Sequence, residues 1–322
     1  MSIKPFRFSW QSFAADSPKE WTERAKKAED SGYSAFHLAD HYIGPGIALD
    51  EAAHPIQNLA AVPAIMSAAD ATNTIKVGCR VFCTSYRPAA VLAKEAMTID
   101  FLSEGRLELG LGAGWVSSEY EAMGIPYDSP GKRIDRLEET IHIVKAHMEA
   151  KDLNFEGKQT TAKNYQGLPG AYNDHVPLMI GGGAPRILGL AGKEADIVSI
   201  NYNNSAGNLA GSRDTDTAEE TMKKIDWIKD GAGNRFDQIE LEIGAYLTIV
   251  TDNQLETAES MSGMMGMSVD QLLSFPHALI GSVEYICEEL EKRRELYGIS
   301  YISFSDNSAE SVIPIVKRLN GN

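Results

Sequence analysis

Two spacings of apolar residues trade places along the chain. Short runs such as FRFSW (6–10), AFHLAD (35–40) and IKVGCRVFC (75–83) are apolar at most positions and are bounded by turn residues. Runs of that length and composition read as strands, and the shortest of them as strands buried on both faces. Further runs of this kind fall at 106–112, 176–182, 195–200, 239–250 and 301–305. Between them apolar residues recur every third or fourth position. The clearest case is Ile134, Leu137, Ile141, Val144 and Met148, with charges in between, which predicts an amphipathic helix. Ser17, Pro18 and Glu20 form a capping-box pattern for a helix running to about Ser31, with Gly32 as its stop. Other helices are expected up to Thr72 with a break at Pro63, from Pro88 to Leu102, over 185–194, 217–230 and 309–319, and from Ser282 onward.

Eight strand signals, each followed by helical signal and with no linker or composition break, predict a single α/β domain over 1–322. Its fold class is the (β/α)8 TIM barrel rather than a doubly wound sheet. Such a barrel takes about 250 residues, and the chain has 322. The excess falls at 201–275, which reads as an insertion: 201–216 is polar and turn-rich, and MSGMMGM (261–267) is rich in methionine. The stretch LGLGAGW (109–115) invites a dinucleotide-binding reading. The third glycine of that fingerprint would fall on Trp115 or Ser117, so the spacing is wrong.

In a barrel of this kind ligands sit at the C-terminal ends of the strands, and the chain's odd residues gather there. The second strand ends in Asp40-His41, the third in Cys83-Thr84-Ser85, the fourth in Gly112-Ala113-Gly114-Trp115 and the fifth in Gly181-Gly182-Gly183. A strand, three glycines and a helix opening at Pro185 expose amide N–H groups beside a positive helix end, an anion site that needs no lysine. Arg186 would add one charge, with Lys193 further along. Gly110, Gly112 and Gly114 alternate, so their bare face would let a flat ring lie against the backbone, flanked by Trp115. His41 is the candidate proton donor or acceptor, and Asp40 its neighbour on the opposite face. Asp40 and Glu51 are the suspects for a carboxylate pair, and His54 reads as a surface residue. No catalytic triad, HExxH or P-loop motif is present.

Net charge is −15, with 43% hydrophobic and 23% charged residues. The acidic balance argues against nucleic acid and anionic membranes as partners. It also means that a phosphorylated ligand must be held by local amides or a few arginines. No apolar run approaches the roughly 18 residues of a membrane span, and MSIKPFRFSW lacks a signal-peptide pattern. The expectation is a cytoplasmic protein. Cys79, Cys83 and Cys287 form neither a disulfide framework nor a metal motif. Cys79 and Cys83, four apart in one strand, should share a face as small core residues.

The order FHLADHY, VFCTSYRPAAVLAKEAMTIDFLSEGRLELGLGAGW, EYEAMGIP, GKRIDRLEETIHIVK and PLMIGGGAPRILGLAGKEADIV resembles the bacterial luciferase-like superfamily, most of all its branch of oxidoreductases that use the deazaflavin coenzyme F420. The resemblance covers about residues 5–200, and 280–322 weakly. It implies a homodimeric barrel that moves a hydride between coenzyme F420 and a small organic substrate. Asp40 and His41 would lie at the ring, and Gly112, Ala113, Gly114 and Trp115 would line the cofactor. Gly181, Gly182 and Gly183 would hold its phosphate, with Cys83, Thr84 and Arg186 nearby. It also implies a non-proline cis peptide near Arg80–Cys83. In the family's sugar-phosphate dehydrogenase an acidic residue follows the G-x-G; Trp115 stands there, which argues against a sugar phosphate as substrate. The alternative reading is an FMN monooxygenase using FMNH2 and O2, with Tyr120 or a serine on the single phosphate. A non-catalytic flavin-binding protein is the remaining one.

Overall fold

The structure is a computed structural model that describes residues 3–52, 54–204 and 217–322. In chain order the first elements are β1 (Arg7–Ser12), α1 (Pro18–Asp30), β2 (Ala35–Leu38), α2 (Ile47–Ala52), α3 (Ala61–Ala71), β3 (Lys76–Cys83) and α4 (Ala89–Leu102). There follow β4 (Leu107–Gly112), α5 (Ser117–Ala122), α6 (Pro130–Met148), β5 (Asp152–Glu156), β6 (Thr161–Gln166), β7 (Leu178–Gly182), α7 (Pro185–Glu194) and β8 (Ile197–Ile200). The last third holds α8 (Ala218–Ala232), β9 (Glu240–Gly244), β10 (Leu247–Val250), α9 (Gln254–Met265), α10 (Val269–Ser274) and β11 (Ala278–Gly281). It ends with α11 (Val283–Tyr297), β12 (Ile299–Ser305), α12 (Asp306–Ala309) and α13 (Ile313–Leu319).

Eight parallel strands close a barrel in the order β1-β2-β3-β4-β7-β8-β9-β12, so the predicted fold class is the observed one. Leu107, Leu109 and Leu111 of β4, Val198 and Ile200 of β8, and Leu137, Ile141 and Val144 of α6 belong to one buried cluster between barrel and helices. Burying that apolar surface is what drives the helices onto the strands. Ser17 caps α1 as expected, accepting from the Glu20 N–H at 3.1 Å. Glu20 reaches one residue further back than a capping box requires, accepting from Asp16 N–H.

Three expectations change. The run 239–250 is two strands: β9 belongs to the barrel, while β10 leaves it to pair with β11 in a separate parallel sheet. That sheet, with α9 and α10, carries its own small core of Ala258, Leu272, Phe275, Ala278 and Ile280. The extra material of the predicted 201–275 insertion is thus mainly 247–281, while α8 and β9 are ordinary barrel elements; residues 205–216 lie outside the described residues. An antiparallel pair, β5–β6, intervenes before β7. Finally, Cys79 and Cys83 do not share a face. Cys79 pairs with Leu109 and Cys83 with Gly112, a register shift of one residue between them, which inverts the side-chain alternation. Cys79 therefore packs in the outer core and Cys83 lines the cavity described below. The implied non-proline cis bond is present at Arg80–Val81.

The barrel interior is polar. At its base Arg7, Glu108, Glu240 and Tyr301 interlock: Arg7 pairs with Glu108 and with Glu240 (2.6 Å), and Tyr301 Oη donates to Glu108 Oε2 at 2.8 Å. Higher up, Arg80 donates to Glu242 Oε1 (3.0 Å) and Gln11 Oε1 (2.9 Å). This upper layer forms the floor of the cavity.

Candidate active site

A cavity of about 720 Å³ opens at the C-terminal ends of the strands. That size suits a drug-sized ligand. On one side stand Asp40 and His41, which follow β2. Asp40 is buried, and its carboxylate is committed. Oδ2 accepts from Cys83 N–H (3.0 Å) and Arg87 Nη1 (2.7 Å), and Oδ1 accepts from Arg87 Nη2 (2.9 Å). A carboxylate gripped bidentately holds the ends of β2 and β3 together and is a poor proton carrier.

His41 has a partner that the sequence reading missed. Its Nδ1 lies 2.8 Å from Glu119 Oε2, on α5. Glu119 is buried and also accepts from Tyr42 N–H and from Tyr86 Oη at 2.7 Å. Burial by itself would raise its carboxyl. The bonds from His41, Tyr42 and Tyr86 outweigh that and hold it below the usual range. An ionised carboxylate only accepts, so hydrogen-bond logic puts the proton of His41 on Nδ1 and leaves the lone pair on Nε2. Trp115 meets the His41 ring edge-on with centroids 5.9 Å apart. His54, expected at the surface, packs against both His41 and Trp115, with ring centroids 4.2 and 6.0 Å away, and lines the cavity. Burial, then the neighbouring His41, push it down to about 3, so it stays neutral.

The other singled-out residues divide. Gly112, Ala113, Gly114, Trp115, Cys83, Gly181, Gly182 and Gly183 all line the cavity. The bare face of Gly110 and Gly112, however, receives Val81 rather than a ligand ring: a Cβ on Gly112 would lie 2.5 Å from Val81 Cγ2. Thr84 is buried off the cavity and donates to Gly112 O at 3.2 Å. Tyr120 is fully buried, with its hydroxyl 3.2 Å from Cys83 Sγ, so it holds no phosphate. Glu51 is exposed and lines no part of the cavity, which removes the Asp40–Glu51 pair.

The glycine triplet lies where β7 turns into α7. A Cβ on Gly183 would sit 2.2 Å from Asn201 O and 2.3 Å from Tyr202 O, so only glycine fits. Helix α7 starts beside it with no side-chain cap and no acid in its first turn, which leaves its positive end to the cavity. Arg186 does not serve it. Its guanidinium turns outward to Gly131 O (2.9 Å) and Asp135, and Lys193 pairs with Glu194 at 3.2 Å. Besides Arg80, the cavity is lined by Arg133 of α6, 3% exposed. It stacks over the Tyr127 ring at 4.1 Å and donates to Asp128 O, while its Nε is buried without a partner among the described residues. A buried, unsatisfied guanidinium N–H costs free energy until a ligand meets it.

Comparison with known proteins places the chain in a family. A sequence model of the family described as luciferase-like monooxygenase matches residues 2–262. The F420-dependent glucose-6-phosphate dehydrogenase of Amycolatopsis mediterranei is 28% identical over 183 residues, which span 56% of this chain and 52%, about half, of that enzyme. An F420-dependent secondary alcohol dehydrogenase, solved in complex with an F420-acetone adduct, superposes with a TM-score of 0.75 at 19% identity, covering 98% of each chain. A long-chain alkane monooxygenase superposes with a TM-score of 0.75 at 17% identity, covering 99% of this chain and 92% of that one. These two structures establish a shared fold. Among the described residues no helix is long and apolar enough to cross a membrane.

Proposed function

Because the chain belongs to the luciferase-like family, we propose that it is a coenzyme F420-dependent oxidoreductase that exchanges a hydride with a small organic substrate. The observation that carries the reading is one cavity faced by both a carboxylate-oriented histidine and an uncapped glycine shelf. The residues fit the cofactor. The uncapped start of α7 lies beside the cavity-lining Gly183, and the buried Nε of Arg133 has no acceptor among the described residues. Gly181, Gly182, Gly183, the first turn of α7 and Arg133 would hold the phosphate; Gly112, Ala113, Gly114 and Cys83 would border the ring. The relative from Amycolatopsis uses the same cofactor by its name. The chain is read as a homodimer on the resemblance alone, and as cytoplasmic on its sequence.

When bound, the deazaflavin supplies two-electron hydride chemistry. The protein's own part is proton management. His41 Nε2 takes or returns the proton of the substrate's reacting oxygen. Glu119 keeps His41 in the one tautomer that can do so, and Tyr86 and Tyr42 hold Glu119. Trp115 and neutral His54 pack against the imidazole. Asp40 ties together the two strand ends that frame the site.

Titration of purified protein with coenzyme F420 is expected to quench the deazaflavin fluorescence saturably, with FMN binding weaker. Tight FMN binding without F420 quenching overturns the proposal in favour of the flavin monooxygenase. The same titration separates the two arginines. Arg133→Gln is expected to weaken coenzyme F420 by about 10- to 100-fold, the range of a charge-assisted bond, while a deazaflavin lacking the phosphate tail binds as before. Arg186→Gln leaves both affinities unchanged.

A further inference from the structure

One wall of the cavity is built of rings. Tyr246 and His277 are nearly parallel, 9° apart with centroids at 5.1 Å. Tyr202 stacks on Tyr246 at 27° and 5.6 Å, and on Phe275 at 22° and 6.3 Å. Leu247 and Met265 complete this wall. Three different segments supply it: the end of β8, the turn between β9 and β10, and the approach to β11. The stack is therefore a tertiary construction.

The charges on the cavity surface are spoken for on this side. Among the described residues four acids and bases other than histidine line the cavity: Asp40, Arg80, Arg133 and Asp306. Asp40 is bound by Arg87. Arg80 is bound by Glu242 and Gln11, and its Nη2 lies 3.3 Å from the Tyr246 hydroxyl. Asp306 accepts from Trp10, Ser12, Phe13 N–H and Arg24. Arg133 alone has an uncommitted donor, and it lies on α6 with the phosphate shelf. An anionic substrate would have to enter a protein of charge −15 and would meet no unpaired cation on the ring wall. Aromatic faces instead favour another ring in offset or edge-on contact, and Met265 adapts its shape to the occupant.

We propose that the substrate is an uncharged molecule bearing an aromatic ring, seated on the Tyr246–His277–Tyr202–Phe275 wall. This rests on the hydride-transfer reading of the same cavity, which it deepens by naming the substrate class. Tyr246 is the residue that sets the preference, being 39% exposed while His277 and Phe275 behind it are buried.

The test is calorimetric binding, with and without bound deazaflavin, of acetophenone, of its saturated counterpart cyclohexyl methyl ketone, and of glucose 6-phosphate. Acetophenone is expected to bind about fivefold tighter than the saturated ketone, the scale of an aromatic pair, and glucose 6-phosphate to give no measurable heat. Tyr246→Phe retains the preference. Tyr246→Leu, which keeps apolar bulk, abolishes it, with an unchanged thermal midpoint showing that the fold survives. Equal binding of the two ketones, a preference that survives Tyr246→Leu, or binding of the sugar phosphate as tight as that of acetophenone overturns the proposal. A protein that discriminates the ketones but does not take up coenzyme F420 keeps the aromatic site and loses the cofactor reading. A protein that takes up the cofactor without discriminating does the reverse.

Discussion

His41→Ala is expected to lower kcat by about 10²- to 10⁴-fold, the usual worth of a positioned acid–base group, while leaving coenzyme F420 affinity within about twofold. The separation follows from geometry. In the proposed reading His41 acts on the proton of the reacting oxygen, whereas the phosphate would be held by Gly181, Gly182, Gly183, α7 and Arg133. Glu119→Gln probes the same proton from behind. Its amide can present an N–H to His41 Nδ1, which drives the proton to Nε2 and leaves no base facing the cavity. A loss of about 10- to 100-fold in kcat with little change in KM is expected. Glu119→Asp, which keeps a charge one methylene away, should recover part of the rate. A purely structural role would move thermal stability in all three variants without the split between kcat and KM. Single-turnover kinetics with preloaded cofactor, followed by deazaflavin absorbance, reads each outcome. An unchanged kcat in His41→Ala removes His41 from the mechanism.

The barrel was legible because its rule is local. Each strand signal sits between turn residues and is followed by a helix whose apolar face recurs at 3.6 residues, and the closed order follows once all strands are parallel. The strand-end rule pointed to one end of the barrel, and Asp40, His41, Trp115 and the glycine triplet do share a cavity there. What escaped was set by partners far away in sequence. Glu119 in SSEYEA reads as an ordinary acid in a helix's first turn; only the fold sets it against His41, 78 residues earlier. Arg133 reads as one of the charges between the apolar positions of α6, yet it faces the cavity and Ile134 lines it as well. Arg186, by contrast, looked placed by sequence proximity to the glycines, but helix geometry turns it to Asp135. The break at Ala245-Tyr246 has no proline or charge to announce it; pairing of β10 with β11 makes it. The polar barrel core escaped for the same reason, since an alternating strand reports that one face differs but not what that face meets.

That core carries the largest expected effect on stability. Glu108→Ala should destabilise the protein by about 3 to 5 kcal/mol, because removing one partner of a buried ion pair leaves the other uncompensated. Glu108 is 2% exposed. It pairs with Arg7, accepts from Tyr301 at 2.8 Å, and lies 3.3 Å from His37 Nε2. Without it Arg7 keeps only Glu240, and the Tyr301 hydroxyl loses its acceptor in a closed barrel. For a chain of this size the thermal midpoint should fall by about 10 °C. The pH dependence has a definite sign. Burial alone would raise the Glu108 carboxyl, but Arg7 and His37 overcome it and bring it down to about 2. A folded-state value below the unfolded one means stability that is fully present above the ordinary carboxylate range and is lost as pH falls from there toward 2. Glu240 runs the other way: burial, then Arg7 against it and Glu108 with it, leave its carboxyl raised, so its protonation offsets part of the loss. Urea unfolding of the wild type between pH 7 and pH 3 should therefore show a falling midpoint, and Glu108→Gln, which cannot ionise, a shallower one. Parallel slopes for the two proteins would assign the acid sensitivity to other carboxylates.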